Sequence, residues 1–120
     1  MTTQHVLVIE DDPSVKTVLR AVLRKAGFEV SEAGSGSQAL ALLEQSPVGA
    51  VVLDLGLPDG KGGAVLEWLR KESMLGDGLP TWVVISAMHQ DEIASRYGPL
   101  GDHFLAKPFN PWELVDRLKV

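Results

Sequence analysis

Short apolar runs recur along the chain, and each is followed by a stretch with a different periodicity. Residues 6–9 and 50–53 are continuous apolar runs, which is typical of strands buried on both faces. Residues 81–85 are rich in β-branched and aromatic side chains and predict another strand, and residues 104–106 predict a short one. Residues 28–33 carry polar side chains between apolar ones, which predicts an edge strand with one face in water.

The stretches between these strands have apolar residues at helical spacing, and cap residues mark where three of the five predicted helices begin. Asp12 and Asn110 each precede a proline, the pattern of an N-cap with proline in the first turn. Ser35 begins a capping-box sequence, and Gly27 is placed to end the first helix. A fourth helix is predicted over residues 91–97, where the apolar stripe is thin.

The alternation of strand and helix, repeated five times, predicts the fold class. Short links and buried strands indicate a parallel sheet with helices on both faces and right-handed crossovers. A closed eight-fold barrel needs about 250 residues, whereas this chain has 120. We therefore expect an α/β domain over residues 1–120 with a doubly wound, five-stranded parallel sheet.

Residues with reactive side chains collect at one edge of the predicted sheet. The residues that follow the first, third, fourth and fifth strands are Glu10, Asp11 and Asp12, then Asp54, Ser86 and Lys107. In open parallel sheets the ligand site lies beyond the carboxyl ends of the strands. Clustered carboxylates repel one another and favour a hard divalent cation, Mg²⁺ or Mn²⁺. A metal beside an aspartate, a hydroxyl and a lysine indicates phosphoryl transfer, with the aspartate as a candidate nucleophile.

Composition narrows the class of protein further. The net charge of −5 disfavours a basic surface for direct nucleic-acid binding. The absence of cysteine excludes disulfides, thiolate metal sites and a cysteine nucleophile. There is no apolar run of membrane-spanning length and no signal-peptide pattern, so we expect a cytoplasmic protein that does not bind membranes.

Four segments resemble the signature segments of response-regulator receiver domains of two-component signalling. They are HVLVIEDDPSV (5–15), VVLDLGLPDGKGG (51–63), VVISA (83–87) and HFLAKPFNPWELVDRL (103–118). Their order and spacing are those of the family, and the resemblance covers nearly the whole chain. It implies a flavodoxin-like (CheY-like) three-layer sandwich with strand order 2-1-3-4-5.

The resemblance also implies roles for the residues at the sheet edge. Asp54 matches the phosphoacceptor, and Asp11 matches the acid that binds Mg²⁺ directly. Glu10 matches an acid that acts on the metal through water, and the backbone carbonyl of Gly56 matches the third protein ligand. Asp12 fits a helix N-cap at least as well as a metal ligand.

Three further residues match positions that respond to phosphorylation in the family. Ser86 matches the switch hydroxyl, and Lys107 matches the lysine that pairs with the phosphoryl group, before a peptide bond to Pro108 that is commonly cis. Phe104 matches the aromatic switch residue, and without a hydroxyl it should favour a buried position.

The implied function is a signalling switch rather than an enzyme. A histidine kinase would pass a phosphoryl group from phosphohistidine to Asp54, which draws in Ser86 and lets Phe104 turn inward. The surface made by the fourth helix, fifth strand and fifth helix would then change, with homodimerisation as one outcome, until autodephosphorylation reverses it. We expect a winged-helix DNA-binding domain beyond residue 120, with a hybrid-kinase receiver or a stand-alone receiver as alternatives.

Departures from the family pattern and two other functions bear on this interpretation. Gly56 stands where a larger side chain is common, Ser86 replaces a more usual threonine, and Leu100 predicts a different loop before the fifth strand. A haloacid-dehalogenase-type phosphatase would need a second acid two positions after the nucleophile, where Gly56 stands. A binding module without the chemistry would not need the acids, hydroxyl and lysine together.

Overall fold

The computed structural model describes residues 4–75 and 80–119 and contains one parallel sheet with helices on both faces. Its strands are β1 His5–Ile9, β2 Glu29–Ala33, β3 Ala50–Asp54, β4 Thr81–Ser86 and β5 Phe104–Ala106. Its helices are α1 Pro13–Lys25, α2 Gly36–Gln45, α3 Gly62–Leu75, α4 Gln90–Tyr97 and α5 Pro111–Leu118, and a 3₁₀ turn spans Gly101–His103. The strand order β2-β1-β3-β4-β5 confirms the predicted topology. The predicted domain limits at residues 1 and 120 lie outside the described residues.

Two hydrophobic cores lie on opposite faces of the sheet and follow from the alternation of side chains along its strands. Leu7 and Ile9 of β1 belong to the core that is covered by α2, α3 and α4. Val6 and Val8 belong to the other core, which is covered by α1 and α5. This arrangement explains the continuous apolar runs, because β1, β3 and β4 are inner strands with both faces buried. The polar side chains of β2 fit its position at the edge of the sheet.

The helix boundaries largely follow the predicted cap residues. The Asp12 carboxylate accepts a hydrogen bond from the Ser14 N–H at 2.8 Å, and Asn110 accepts one from the Trp112 N–H at 2.9 Å. Gly27 has a φ of +99° just after α1, in the left-handed region that glycine adopts readily. The fourth helix begins one residue earlier than predicted, because a ring nitrogen of His89 accepts from the Asp91 N–H and caps it.

The loop before β5 forms a 3₁₀ turn, and Leu100, which precedes the turn, is buried against the core. Leu100 therefore has a packing role in this loop. No helix within residues 4–75 and 80–119 is long and apolar enough to cross a membrane.

Helix α1 offers a direct test of which face is buried. Leu23 is fully buried, whereas Val18 on the same helix is about half exposed. Replacing a core leucine with alanine costs about 2–5 kcal/mol because it removes packing and leaves a cavity. We expect Leu23→Ala to lower the free energy of unfolding, measured in urea, by this amount. Val18→Ala is the matched control and should change it by no more than about 0.5 kcal/mol. Equal losses in the two variants would contradict the described packing of α1.

Candidate functional site

The sheet brings the predicted residues to one edge because its strands are parallel. Ile9 of β1 pairs with Leu53 of β3, so Glu10 and Asp54 stand level on neighbouring strands. Ser86 pairs with Ala106, which places Lys107 just beyond the same edge. The carboxyl-end rule therefore predicted correctly that these residues gather at one edge of the sheet.

Three carboxylates form a tight cluster at this edge. One oxygen from each of Glu10, Asp11 and Asp54 lies within 4.8 Å of the other two. Asp11 is exposed, whereas Glu10 and Asp54 are buried. Burial raises the pKa of Glu10, and hydrogen bonds from Lys107 and from the Asp12 N–H only partly oppose this; the nearby charge of Asp54 raises it further. The cluster therefore holds negative charge at a cost to the folded state.

Lys107 bridges two of the three acids. Its Nζ donates to Glu10 Oε2 at 2.9 Å and to Asp54 Oδ2 at 3.2 Å. Burial by itself lowers the pKa of Lys107, but the hydrogen bond to Glu10 and the charge of Asp54 outweigh it, so its pKa is raised. The side chain is therefore a firmly protonated ammonium group next to the Asp54 carboxylate.

The charge balance and the donor atoms fit a divalent cation. Three carboxylates face one ammonium group, which leaves two excess negative charges at the site when all the acids are ionised. Clustered carboxylate oxygens are the ligands that Mg²⁺ and Mn²⁺ take in proteins. Asp11, the exposed member, gives such an ion access from solvent. The residues present therefore suit the metal that the sequence predicts.

The two oxygens of Asp54 have different partners. Oδ2 accepts from Lys107, whereas Oδ1 accepts from the Gly56 N–H at 3.0 Å. A Cβ atom at Gly56 would meet only Asp54 Oδ1, at 3.6 Å. The site is therefore open on the side of Gly56, which stands where the resembled family often has a larger side chain.

Ser86 and Phe104 lie around the cluster rather than in it. Ser86 is buried, its Oγ accepts from the Met88 N–H at 3.0 Å, and its carbonyl accepts from the Lys107 N–H at 2.8 Å. Phe104 is only 9% exposed, so it is buried as predicted and already points inward. It lines a cavity of about 230 Å³ between α4 and β5, together with Ile93 and Leu100. The peptide bond between Lys107 and Pro108 is cis, as the resemblance implies.

Backbone groups near the site have contacts that the sequence did not reveal. The Asp12 side chain caps α1, in agreement with the simpler of its two interpretations, while its N–H donates to Glu10 Oε1 at 3.1 Å. The Met88 N–H holds the Ser86 hydroxyl. Every residue other than proline carries an N–H group, so no pattern of residue types could have identified these two contacts.

Comparisons with known proteins agree on one family. The family model described as "Response regulator receiver domain" matches residues 6–119. DNA-binding response regulator MtrA of Mycolicibacterium smegmatis is 35% identical over 116 residues, which is 97% of this chain and 49% of that protein. The chain thus spans about half the length of the curated relatives it matches.

Solved structures of similar fold cover nearly the whole chain. Chemotaxis response regulator CheY4 of Vibrio cholerae has a TM-score of 0.79 at 25% identity, and the match covers 98% of both chains. A sensor protein from Polaromonas sp. JS666 has a TM-score of 0.78 at 31% identity, with 98% of this chain and 94% of that chain covered. Both matches extend over the strands and helices that form the acidic edge.

The raised pKa of Glu10 predicts a pH dependence of stability. A folded-state pKa above the unfolded value means that Glu10 contributes stability at pH values below 4.5, which is lost as pH rises through its folded pKa. Lowering the pH from 7 to 4 should therefore increase the free energy of unfolding of the wild type relative to that of Glu10→Gln. Urea denaturation at both pH values measures this shift. Glu29→Gln, an exposed substitution on β2, controls for loss of a carboxylate as such. A difference that stays constant with pH would contradict the burial of an ionised Glu10.

Proposed function

Since the chain belongs to the response-regulator receiver family, we propose that it is a phosphorelay switch that accepts a phosphoryl group on Asp54 from the phosphohistidine of a histidine kinase. The observation that carries this proposal is the placement of the Asp54 carboxylate between a protonated Lys107 and the acids Glu10 and Asp11. A phosphoryl group there would be held by one fixed cation and one exchangeable cation.

The nucleophile in the proposed transfer is the Asp54 carboxylate. One of its oxygens forms a bond to phosphorus while the bond from phosphorus to the donor's imidazole nitrogen breaks, and the electron pair leaves with that nitrogen. Lys107, which already contacts Asp54, neutralises charge on the phosphoryl oxygens. Ser86, buried at the same edge, has a hydroxyl hydrogen to donate to them.

Mg²⁺ or Mn²⁺ would be held by Asp11, Asp54 and the Gly56 carbonyl, and through water by Glu10, and would supply positive charge to the transferred group. The burial of Glu10 supports its indirect role. Glu10 is fully buried and its two oxygens accept from Lys107 and from the Asp12 N–H. Asp11, by contrast, is exposed to a cation that arrives from solvent.

The proposed switch acts through Ser86 and Phe104. The phosphoryl group draws the Ser86 hydroxyl away from the Met88 N–H, and the segment that joins β4 to α4 follows. Phe104 is already inward, so its part is to repack into the adjoining cavity as α4 moves. The surface formed by α4, β5 and α5 changes as a result, and this surface is our candidate for phosphorylation-dependent homodimerisation. The open side at Gly56 admits water for autodephosphorylation.

We propose that in the full protein this domain controls a DNA-binding output domain of winged-helix type in the cytoplasm. The support is the similarity to MtrA, which is named as a DNA-binding response regulator and is about twice as long as this chain. The similarity to the Polaromonas sensor protein favours a second arrangement, in which the domain is the receiver of a hybrid kinase. A phosphatase of the haloacid-dehalogenase type is disfavoured because Gly56 takes the place of its second acid.

Intact mass after incubation with acetyl phosphate and Mg²⁺ tests the phosphoacceptor. The wild type should gain one phosphoryl group, and chelation of Mg²⁺ should abolish the gain. Asp54→Asn should gain none, because the amide is not a nucleophile at this site. An equal gain in the variant would place the chemistry at another residue, and no gain in either protein would favour a binding module without phosphoryl transfer.

Ser86→Ala separates phosphorylation from the switch. The variant should still gain a phosphoryl group, because Asp54 and Lys107 are intact. A hydrogen bond to a charged group contributes about 1.5–3 kcal/mol, so its loss should shift the two-state equilibrium roughly tenfold or more toward the resting surface. Backbone amide chemical shifts of α4 on phosphorylation measure this shift. Ser95→Ala, an exposed substitution on α4 itself, is the control and should respond like the wild type.

A further inference from the structure

Asp59 joins two segments that are far apart in the chain. It lies in the loop between β3 and α3, and its Oδ1 accepts from the Gly36 N–H at 3.1 Å while its Oδ2 accepts from the Ser37 N–H at 3.0 Å. Both donors are in the first turn of α2, where N–H groups have no partner within the helix. Oδ1 also accepts from the Lys61 N–H of its own loop at 3.2 Å. The carboxylate therefore ties the loop to the start of α2.

The Asp59 carboxylate binds the start of α2 as a charged group, although its side chain is exposed. The hydrogen bond from the Ser37 N–H is the largest cause, and together with those from Gly36 and Lys61 it outweighs the opposing effect of burial and lowers the pKa of Asp59 to about 2. The positive end of the α2 dipole acts in the same direction. Asp59 is therefore an anion over the whole physiological pH range, and the bond to α2 persists throughout it.

Helix α2 does not depend on Asp59 for its own cap. Ser35 Oγ accepts from the Gln38 N–H at 3.2 Å, and Gln38 Oε1 accepts from the Gly34 N–H at 2.9 Å. These bonds are local to the start of α2. The contact with Asp59 is thus additional to a normal helix start, which suggests that it serves the loop.

The loop that carries Asp59 packs directly against the start of α2. A Cβ atom at Gly36 would lie 2.5 Å from Lys61 Cβ and 3.0 Å from the Lys61 carbonyl carbon, so the two backbones are in direct contact. Asp59 itself lies in a turn of the loop, in which the Gly60 N–H donates to the Leu57 carbonyl at 3.1 Å. At the end of the loop, a Cβ atom at Gly62 would lie 2.6 Å from the carbonyl oxygen of Leu55, so the backbone there packs directly against the residue before Gly56. A displacement of Asp59 would therefore be transmitted through Lys61 and Gly62 to Gly56.

We propose that Asp59 is a positioning residue for the metal site: by binding the start of α2 it holds the loop that presents Gly56 to Asp54 and to the cation. Gly56 is the link because its N–H donates to Asp54 Oδ1 and its carbonyl is the proposed third metal ligand. This inference rests on the proposed function and deepens it. Asp59 itself does not touch the reacting atoms.

Calorimetric titration with Mg²⁺ alone tests the proposal in three variants. Asp59→Ala removes the tie and should weaken Mg²⁺ binding by about tenfold, the lower end of the effect of residues that orient metal ligands. Asp59→Asn keeps one oxygen for Gly36 and Lys61 but loses the acceptor for Ser37, so it should recover part of the affinity. Ser35→Ala is the matched control, because it destabilises the same helix start without touching the loop, and it should leave the Mg²⁺ affinity unchanged.

The Gly56 amide resonance provides a second readout that a purely structural role would not move. It should shift in Asp59→Ala and stay in place in Ser35→Ala, at a temperature where both variants are folded. Wild-type Mg²⁺ affinity in Asp59→Ala, or an equal loss of affinity in Asp59→Ala and Ser35→Ala, would overturn the positioning role while leaving the phosphoacceptor intact. A wild-type protein that binds no Mg²⁺ would overturn the proposed function, and this inference with it.

Discussion

Electrostatic repulsion among buried carboxylates is the constraint on which the functional edge of this domain depends. Glu10 and Asp54 are withdrawn from water and lie within 4.8 Å of each other and of Asp11. Such a cluster is tolerable only with positive charge and donated hydrogen bonds close by. Lys107 supplies both, and the backbone N–H groups of Asp12 and Gly56 supply further hydrogen bonds. The remaining negative charge makes this edge attractive to a cation.

The parallel sheet makes this concentration of charge mechanically feasible. Glu10 follows β1, Asp54 is the last residue of β3, and Lys107 follows β5. The apolar residues of these strands fill the two cores. The strands are therefore held by packing on both faces, and the charged residues at their ends cannot easily move apart. The two apolar cores stabilise the domain, and they offset the electrostatic repulsion among the carboxylates at the edge of the sheet.

The fold and the gathering of Asp54 and Lys107 at one edge of the sheet were predictable, because they follow from periodicity and from the carboxyl-end rule. The cap residues Asp12 and Asn110 also marked the starts of their helices correctly. The His89 cap was not predicted because histidine is not among the usual capping residues. The bond from Asp59 to the start of α2 depends on how closely two loops approach in space, and one sequence carries no record of that distance.

The hydrogen bond from Lys107 to Glu10 spans 97 residues, which makes the site one of the most non-local features of the fold. During synthesis Asp54 emerges well before Lys107, since the two residues are 53 residues apart. At about 5–20 residues per second, a nascent chain carries an exposed aspartate for several seconds without its ammonium partner. The acidic edge therefore reaches its final charge balance only when the last strand has joined the sheet, so this balance is a property of the completely folded domain.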